Sequence, residues 1–391
     1  MEIVDMNVLV IGSLNTIFIY SYCDYFLKKG CEVFVINTSD VVDVDNTRYN
    51  GFNLYNLKST EVSKFSKIKK IISKIKLDTL NVFWWLYSFF VEKKTLPNDS
   101  FYKIEKLLLS DKFDLAFCFW GTSLRKEILA LRKIVDINKL KLKLILSVST
   151  YPTRYNVPKS KSLSWLYLKK DINYFNCCDG LILSGRLMKN VIVDYLGYNG
   201  NYIIFKDYLI SDYFAVNPGD DKKDIIFLGN VRFDERTIDN VSKQLLDIAD
   251  KGIIVWIQES SYIKHKNIKM FKPFSLEEIT QGKLGEFLSK FKASVVLYNK
   301  VDNLRMGTTF PTRFALATLG HHQIYLPKGV FDSLEEFGND VILYEDIPGL
   351  VEEYINGKID CKGKRERFFL DSDSNSLVID DFINDILTNN G

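Results

Sequence analysis

Short apolar runs separated by amphipathic stretches recur along all 391 residues, and their order predicts the architecture. Val8–Ile11 reads as a buried strand, Gly12-Ser13-Leu14-Asn15 as a turn, Ile17–Lys29 as a helix stopped by Gly30, and Glu32–Ile36 as the next strand. The alternation continues through Asp114–Phe119, Ser123–Ile134, Leu142–Val148, Asp179–Leu183, Arg186–Leu196 and Tyr202–Phe205. Val216-Asn-Pro-Gly-Asp-Asp-Lys222, dense in turn formers and charge, reads as a linker. Beyond it, strands are expected at Asp224–Leu228, Ile253–Ile257, Ser294–Tyr298, Gln323–Leu326 and Val341–Leu343. Helices are expected at Thr237–Ala249, around Leu284–Phe291, and at Pro311–Leu319, Ile347–Ile355 and Leu377–Leu387. Apolar strands alternating with helices predict parallel sheets covered on both faces. The expected fold class is therefore α/β, with two doubly wound, Rossmann-like domains at 1–216 and 217–370 and a terminal helical segment at 371–391. In such a pair a ligand belongs at the carboxyl ends of the strands, in the cleft where the domains face each other.

Charge sharpens this picture. Residues 1–216 hold 30 Lys and Arg against 21 Asp and Glu, a net of +9, whereas the remainder holds 22 against 28, a net of −6. Within the basic half, Phe65, Ile68, Ile71, Ile72 and Ile75 fall on one helical face and Lys67, Lys70 and Lys74 on another, followed by the aromatic run Val82–Phe90. A basic amphipathic helix beside aromatic residues suits an anionic membrane surface, so residues 63–90 are the expected membrane contact. The longest apolar run, Leu80–Val91, has 12 residues, too few to span a bilayer. No nucleic-acid-binding motif accompanies the charge, and nucleic acid is not expected as a partner. The six cysteines lack CxxC spacing, and the chain opens directly into a strand, which reads as a cytoplasmic protein with reduced thiols.

Several chemistries lose their sequence support. No GxxxxGK[ST] loop, no GxGxxG after a strand and no GxSxG elbow occurs. The histidines are only His265, His321 and His322, too few for an HExxH or Cys2His2 zinc site. Two Asp-x-Asp strings, Asp43-Val-Asp45 and Asp371-Ser-Asp373, fall in polar stretches outside the sheet pattern and read as solvated loops, so no metal is expected. Of the histidine pair, one side chain is expected to line the cleft and the other to pack or face solvent.

Five segments together resemble the GT-B glycosyltransferases, specifically the nucleotide-sugar-using family that builds surface polysaccharides. They are Asn7–Asn15 with Lys29-Gly-Cys-Glu-Val33, then Phe113–Thr122, Cys178–Ser184, Asp224–Arg232 and Pro311–Gly320. The resemblance implies an acceptor-binding N-terminal domain, a nucleotide-sugar-binding C-terminal domain and a last helix crossing back to the first domain. It also implies metal-independent sugar transfer to a glycan or lipid-linked acceptor, with no cofactor beyond the nucleotide-sugar substrate. The chain departs from the family at the donor ribose, where the usual glutamate is replaced by Ala315 and its upstream partner by Gly307.

Under that reading, Arg232, Arg236 and Arg313, with Thr308 and Thr309, are candidates for the donor phosphates, because forked cations and hydroxyls near a helix start suit an anion. Gly12, Ser13, Gln258 and Glu259 are candidates for the nucleotide sugar, and Phe271 and Phe274, in a loop after a strand, for stacking on the base. Asn15, Trp120, Thr122 and Tyr151 are placed on the acceptor side. Replacing Arg313 by alanine is expected to abolish donor binding and leave the fold intact. Asp24 and Asp40 lie near strand ends, but no general base is assigned. The rival readings are a non-catalytic GT-B scaffold and, last, a sugar-nucleotide epimerase.

Overall fold

The computed structural model describes residues 5–38, 52–57, 96–119, 124–152, 168–216, 223–231, 241–259, 263–298, 304–320, 322–337, 341–357 and 365–388. The chain divides into two compact units. One comprises Met1–Asn15, Phe26–Phe205 and Asp380–Gly391, the other Thr16–Tyr25 and Lys206–Ile379.

The first unit is built on a seven-stranded parallel sheet in the order β3-β2-β1-β4-β5-β6-β7. Its strands are β1 Asn7–Gly12, β2 Glu32–Asn37, β3 Phe52–Asn56, β4 Leu115–Phe119, β5 Lys143–Val148, β6 Gly180–Leu183 and β7 Asn201–Ile204. The central ones are runs such as Val8–Ile11 and Leu115–Phe119, buried at every position because helices cover both faces. Helices α2 Asn98–Ser110 and α3 Arg125–Asn138 belong to this unit, whereas α1 Ile17–Lys28 falls in the second unit up to Tyr25. Ile104, Leu107 and Leu108 of α2 and Ile128, Leu131, Ile134 and Val135 of α3 recur at helical spacing and are buried. Arg186–Leu196, expected as one helix, is an α-turn over Arg186–Lys189 that widens into a π-helical stretch over Asn190–Tyr195.

The second unit repeats the plan with six parallel strands in the order β10-β9-β8-β11-β12-β13. They are β8 Lys223–Phe227, β9 Val255–Gln258, β10 Ile268–Phe271, β11 Phe291–Val295, β12 Gln323–Pro327 and β13 Ile342–Tyr344. Its helices include α4 Ser242–Asp250, α5 Lys283–Leu288, α6 Thr312–Ala317, α7 Ile347–Asn356 and α8 Asp373–Thr388. The helix expected to run to Phe291 stops at Leu288, and β11 begins at Phe291 instead of Ser294. Leu284, Leu288 and Phe291 share helical spacing by coincidence. The Ser289 hydroxyl donates to the Glu286 carbonyl and closes the helix.

The last helix carries buried Ile379, Phe382, Ile383 and Ile386. From residue 380 it belongs to the first unit, where a Cβ on Gly180 of β6 would stand 2.7 Å from the Phe382 ring and 2.9 Å from Ile386. Lys29 pairs with Asp380 at 2.6 Å.

At the amino end of β8, the Asp224 carboxylate accepts from Lys292 Nζ (3.0 Å), the Ile254 amide (3.1 Å) and the Tyr354 hydroxyl (3.1 Å). Burial pushes this carboxyl up, but the three donors outweigh it and hold it below its ordinary value. A depressed carboxyl contributes stability above its unfolded value and loses it as the pH falls. The second unit is therefore expected to weaken as the pH drops below about 4. Asp224→Asn should flatten that step in a pH series of thermal melts. An unchanged acid slope would contradict the assignment.

Candidate functional site

In both sheets the chain reverses its direction of strand addition at one point, between β1 and β4 in the first and between β8 and β11 in the second. The loops at the carboxyl ends of such strand pairs leave a crevice that two helices cannot cover, which is where ligands bind in open α/β sheets.

In the second unit this switch point is organised by Arg313. Its Nη1 donates to the Leu297 carbonyl (2.8 Å), just past β11, and its Nη2 to the Asn230 carbonyl (3.0 Å), just past β8. The guanidinium lies between the rings of Phe227 (4.9 Å) and Tyr298 (4.6 Å). Gly229 adopts φ +105°, and a Cβ there would come within 2.9 Å of Arg313 Nε. Arg313 is thus a buried clamp on the two loops, only 8% exposed. Its removal would disturb the fold, which corrects the expectation that an alanine would leave the structure intact.

Thr308 and Thr309 both direct their hydroxyls to the Arg305 carbonyl, at 3.2 and 2.5 Å. Ala315 is buried in α6, where the family pattern has glutamate. Gln258 ends β9, one strand outward, and the exposed Glu259 follows, its amide donating to the Phe271 carbonyl (2.9 Å). Phe271 is the last residue of β10, not a loop residue, and is buried. Its ring and that of Phe274 pack on Phe287 at 5.2 and 5.3 Å. These two aromatics form a satellite core with α5. Arg232 and Arg236 lie outside the described residues.

In the first unit, Gly12 ends β1 opposite Asn37 of β2, and the Ser13–Asn15 turn follows. Asn37, itself buried, accepts from the Leu14 amide (3.2 Å) and donates to Asn56 Oδ1 (2.8 Å), so the turn is fixed from beneath. Asn15 at its tip is exposed. Trp120 and Thr122 lie outside the described residues. Tyr151 is completely buried, its hydroxyl donating to Asp171 Oδ2 (3.2 Å). Arg125 Nε and Nη2 hold the other oxygen of that carboxylate at 2.9 and 2.6 Å. The tyrosine therefore anchors the start of α3 from inside the fold and does not reach outward. Glu127, in the first turn of α3, follows the carboxyl end of β4, and burial pushes its carboxyl up.

The remaining titratable candidates are structural. His322 is buried between Ser294 Oγ (2.6 Å) and the Leu288 carbonyl (2.9 Å), while His321 lies outside the described residues. Asp371 is not a solvated loop residue: it accepts from the Ser211 amide and hydroxyl at 2.7 and 2.6 Å. Asp43, Asp45 and Asp40 lie outside the described residues, and Asp24 accepts from the Tyr213 hydroxyl. Among the described residues no three His, Cys, Asp or Glu side chains gather as a metal-ligand set. None of the five described cysteines is joined in a disulfide. Residues 63–90 lie outside the described residues, and no described helix is long and apolar enough to cross a membrane.

Asn37, Asn230, Tyr298 and Glu127 were missed by sequence reasoning. The Gly229-Asn230 pair after an apolar run was the available signal for the first switch-point loop.

Residues 7–91 match the family described as Glycosyl transferase 4-like. No curated protein matches the chain. Among solved structures, S. aureus TarM, a mutant form in complex with fondaparinux, alpha-GlcNAc-glycerol and UDP, superposes with a TM-score of 0.60 at 10% identity, over 98% of this chain and 100% of the other. Sucrose-phosphate synthase from Thermosynechococcus elongatus gives 0.56 at 10% identity, over 97% and 99%. The lipopolysaccharide outer core galactosyltransferase WaaB in its apo form gives 0.54 at 13% identity, over 98% and 99%. With two seven- and six-stranded parallel sheets, full-length superposition on these structures and a glycosyl transferase 4-like segment at residues 7–91, the chain is a divergent protein of the GT-B glycosyltransferase fold.

Proposed function

We propose that this protein transfers a sugar from a nucleotide-sugar donor to a glycan or lipid-linked acceptor, in the synthesis of a surface polysaccharide or glycolipid. The observation that carries the reading is the Arg313 clamp, which fixes the two loops at the β8/β11 switch point where a nucleotide would lie. UDP accompanies the TarM structure, and ADP with acarbose the catalytic domain of Arabidopsis starch synthase IV, which supports a nucleoside diphosphate here. In this reading Arg313 holds the Gly229-Asn230 turn. Arg232 and Arg236, next along the chain, neutralise the departing diphosphate, so that no metal or cofactor is required. Gln258 and Glu259 border the donor on the same sheet edge. On the acceptor side, the turn at Ser13–Asn15 receives the hydroxyl and Glu127, with its raised proton affinity, takes up its proton. Membrane contact through residues 63–90 would bring a lipid-linked acceptor to the enzyme.

Ala315 favours a second reading, a GT-B scaffold that lacks catalysis. One experiment separates the two. Purified protein is melted with UDP, GDP, CMP, dTDP, ADP and their common sugars. One nucleotide family should raise the melting temperature by about 5 °C or more at saturating concentration, since only the folded protein binds it. No shift from any of them, in a well-folded sample, would favour the scaffold.

A further inference from the structure

Helices α2 and α3 of the first unit lie side by side. Lys133 of α3 sits over the Phe101 ring of α2 (5.5 Å), and Asn138 of α3 donates to Glu105 of α2 (3.4 Å). The outward side of this pair carries three large apolar residues. Tyr102 is 64% exposed, Leu109 56% and Ile137 61%. Tyr102 and Leu109 are seven residues apart, two turns along one stripe of α2. Ile137 lies one turn beyond Lys133, on the stripe of α3 that abuts Phe101 and Glu105. The three therefore share one surface. On the two helices and the segments that follow them, Lys103, Lys106, Lys112, Lys133, Lys139 and Lys141 are all exposed. From residue 98 to 143 the exposed acids among the described residues are Asp99, Asp114 and Asp136, and Asp136 lies 3.9 Å from Arg132.

We propose that this α2–α3 face docks on an anionic membrane surface. The chemistry selects that occupant. Aromatic and aliphatic side chains standing proud of a helix pair enter the headgroup boundary, while long lysines keep their ammonium groups at the phosphates and lay their stems along the apolar patch. Lysine excess also gives attraction to anionic lipid that neutral lipid cannot supply. The inference deepens the membrane part of the proposed function, but it rests on residues 98–141 and not on 63–90.

The test is co-sedimentation of the full chain with vesicles of phosphatidylcholine alone and of phosphatidylcholine with one-third phosphatidylglycerol. The protein should pellet with the anionic vesicles and stay in solution with the neutral ones, and added salt should release it. The triple variant Lys103→Glu, Lys106→Glu and Lys141→Glu should weaken binding about 100-fold, from several-fold per reversed charge. The triple variant Tyr102→Ser, Leu109→Ser and Ile137→Ser should weaken it at least about tenfold. All six positions are exposed, so both variants should melt like the parent and keep any nucleotide-induced shift. Binding by both variants at parental strength would overturn this face and leave the membrane contact elsewhere in the chain. Equal pelleting with neutral vesicles, or a parent that pellets with neither, would overturn it too, the latter together with the membrane reading. A concentration-dependent dimer that both variants abolish, with no lipid binding, would assign the face to a second copy instead. The nucleotide shift, read in parallel, reports on sugar transfer independently of all these outcomes.

Discussion

Replacing Arg313 by alanine is expected to destabilise the second unit by about 4 kcal/mol and to weaken nucleotide binding at the same time. The buried Leu297 carbonyl loses its donor, at roughly 1–3 kcal/mol, and the Asn230 carbonyl, on an exposed residue and only part-buried, loses its own at the low end of that range. The space between Phe227 and Tyr298 is left unfilled, which adds a cavity term. Relief from desolvating a buried cation works in the other direction and keeps the total below the plain sum. Lysine should not rescue the variant, because one ammonium cannot serve two carbonyls on separate loops in the manner of a planar fork. Amide exchange is the measurement of choice, since a chain of two units need not unfold in one step. Protection should fall across β8 and β11 while β1, β4 and β5 stay as they were. Parental protection in β8 and β11 would show that the clamp contributes nothing to the switch point.

That result would also mark the limit of what the sequence conveys. The strand–helix order was readable because buried parallel strands are continuous apolar runs: Val8–Ile11 became Asn7–Gly12, Leu142–Val148 became Lys143–Val148, and Gln323–Leu326 became Gln323–Pro327. Where the code is weaker, the reading failed. Edge strand β3, Phe52–Asn56, is half-exposed and mixes asparagine with aromatics, so nothing in it resembles a core strand. Helix α2 carries little start signal in sequence, because it begins after Pro97 without a side-chain cap.

Site residues divide along similar lines. Position in the chain correctly brought Arg313 to a strand-end region, because a Pro-led helix after β11 must start near the carboxyl edge. Its burial was not readable, since that depends on Gly229 and on two carbonyls 83 and 16 residues away. Thr308 and Thr309 read as hydroxyl donors and Tyr151 as an acceptor-side residue at a strand end, and in each case tertiary packing decides the partner that engages the hydroxyl. Glu127 was passed over because a glutamate in a first helical turn is unremarkable in sequence, and only its burial distinguishes it. Aromatic residues mislead in the same way. Phe271 and Phe274 look available for a base until Phe287 is seen against both.

The substitution with the other large expected effect is Gly285→Ala, because it reverses an ordinary rule. Alanine in place of glycine within a helix normally stabilises by nearly 1 kcal/mol. Gly285 lies in α5, and a Cβ there would stand 2.7 Å from the Tyr213 carbonyl oxygen and 2.7 Å from the Ala215 amide nitrogen. Both are backbone atoms, which cannot swing aside as a side chain would. The Ala215 amide is moreover bonded to the Leu319 carbonyl (3.0 Å), so displacing it breaks a buried hydrogen bond. A loss of about 3 kcal/mol is expected, at the upper end for overpacking. Gly252→Ala provides the contrast. That residue has φ +86° with nothing within 4 Å of an added Cβ, so only backbone strain of about 1 kcal/mol applies. If close approach of α5 to the 213–215 segment is what Gly285 serves, the first variant melts well below the second, and exchange rises at Ala215. Equal melting temperatures would mean that the segment moves away freely and that its packing on α5 contributes little to the unit.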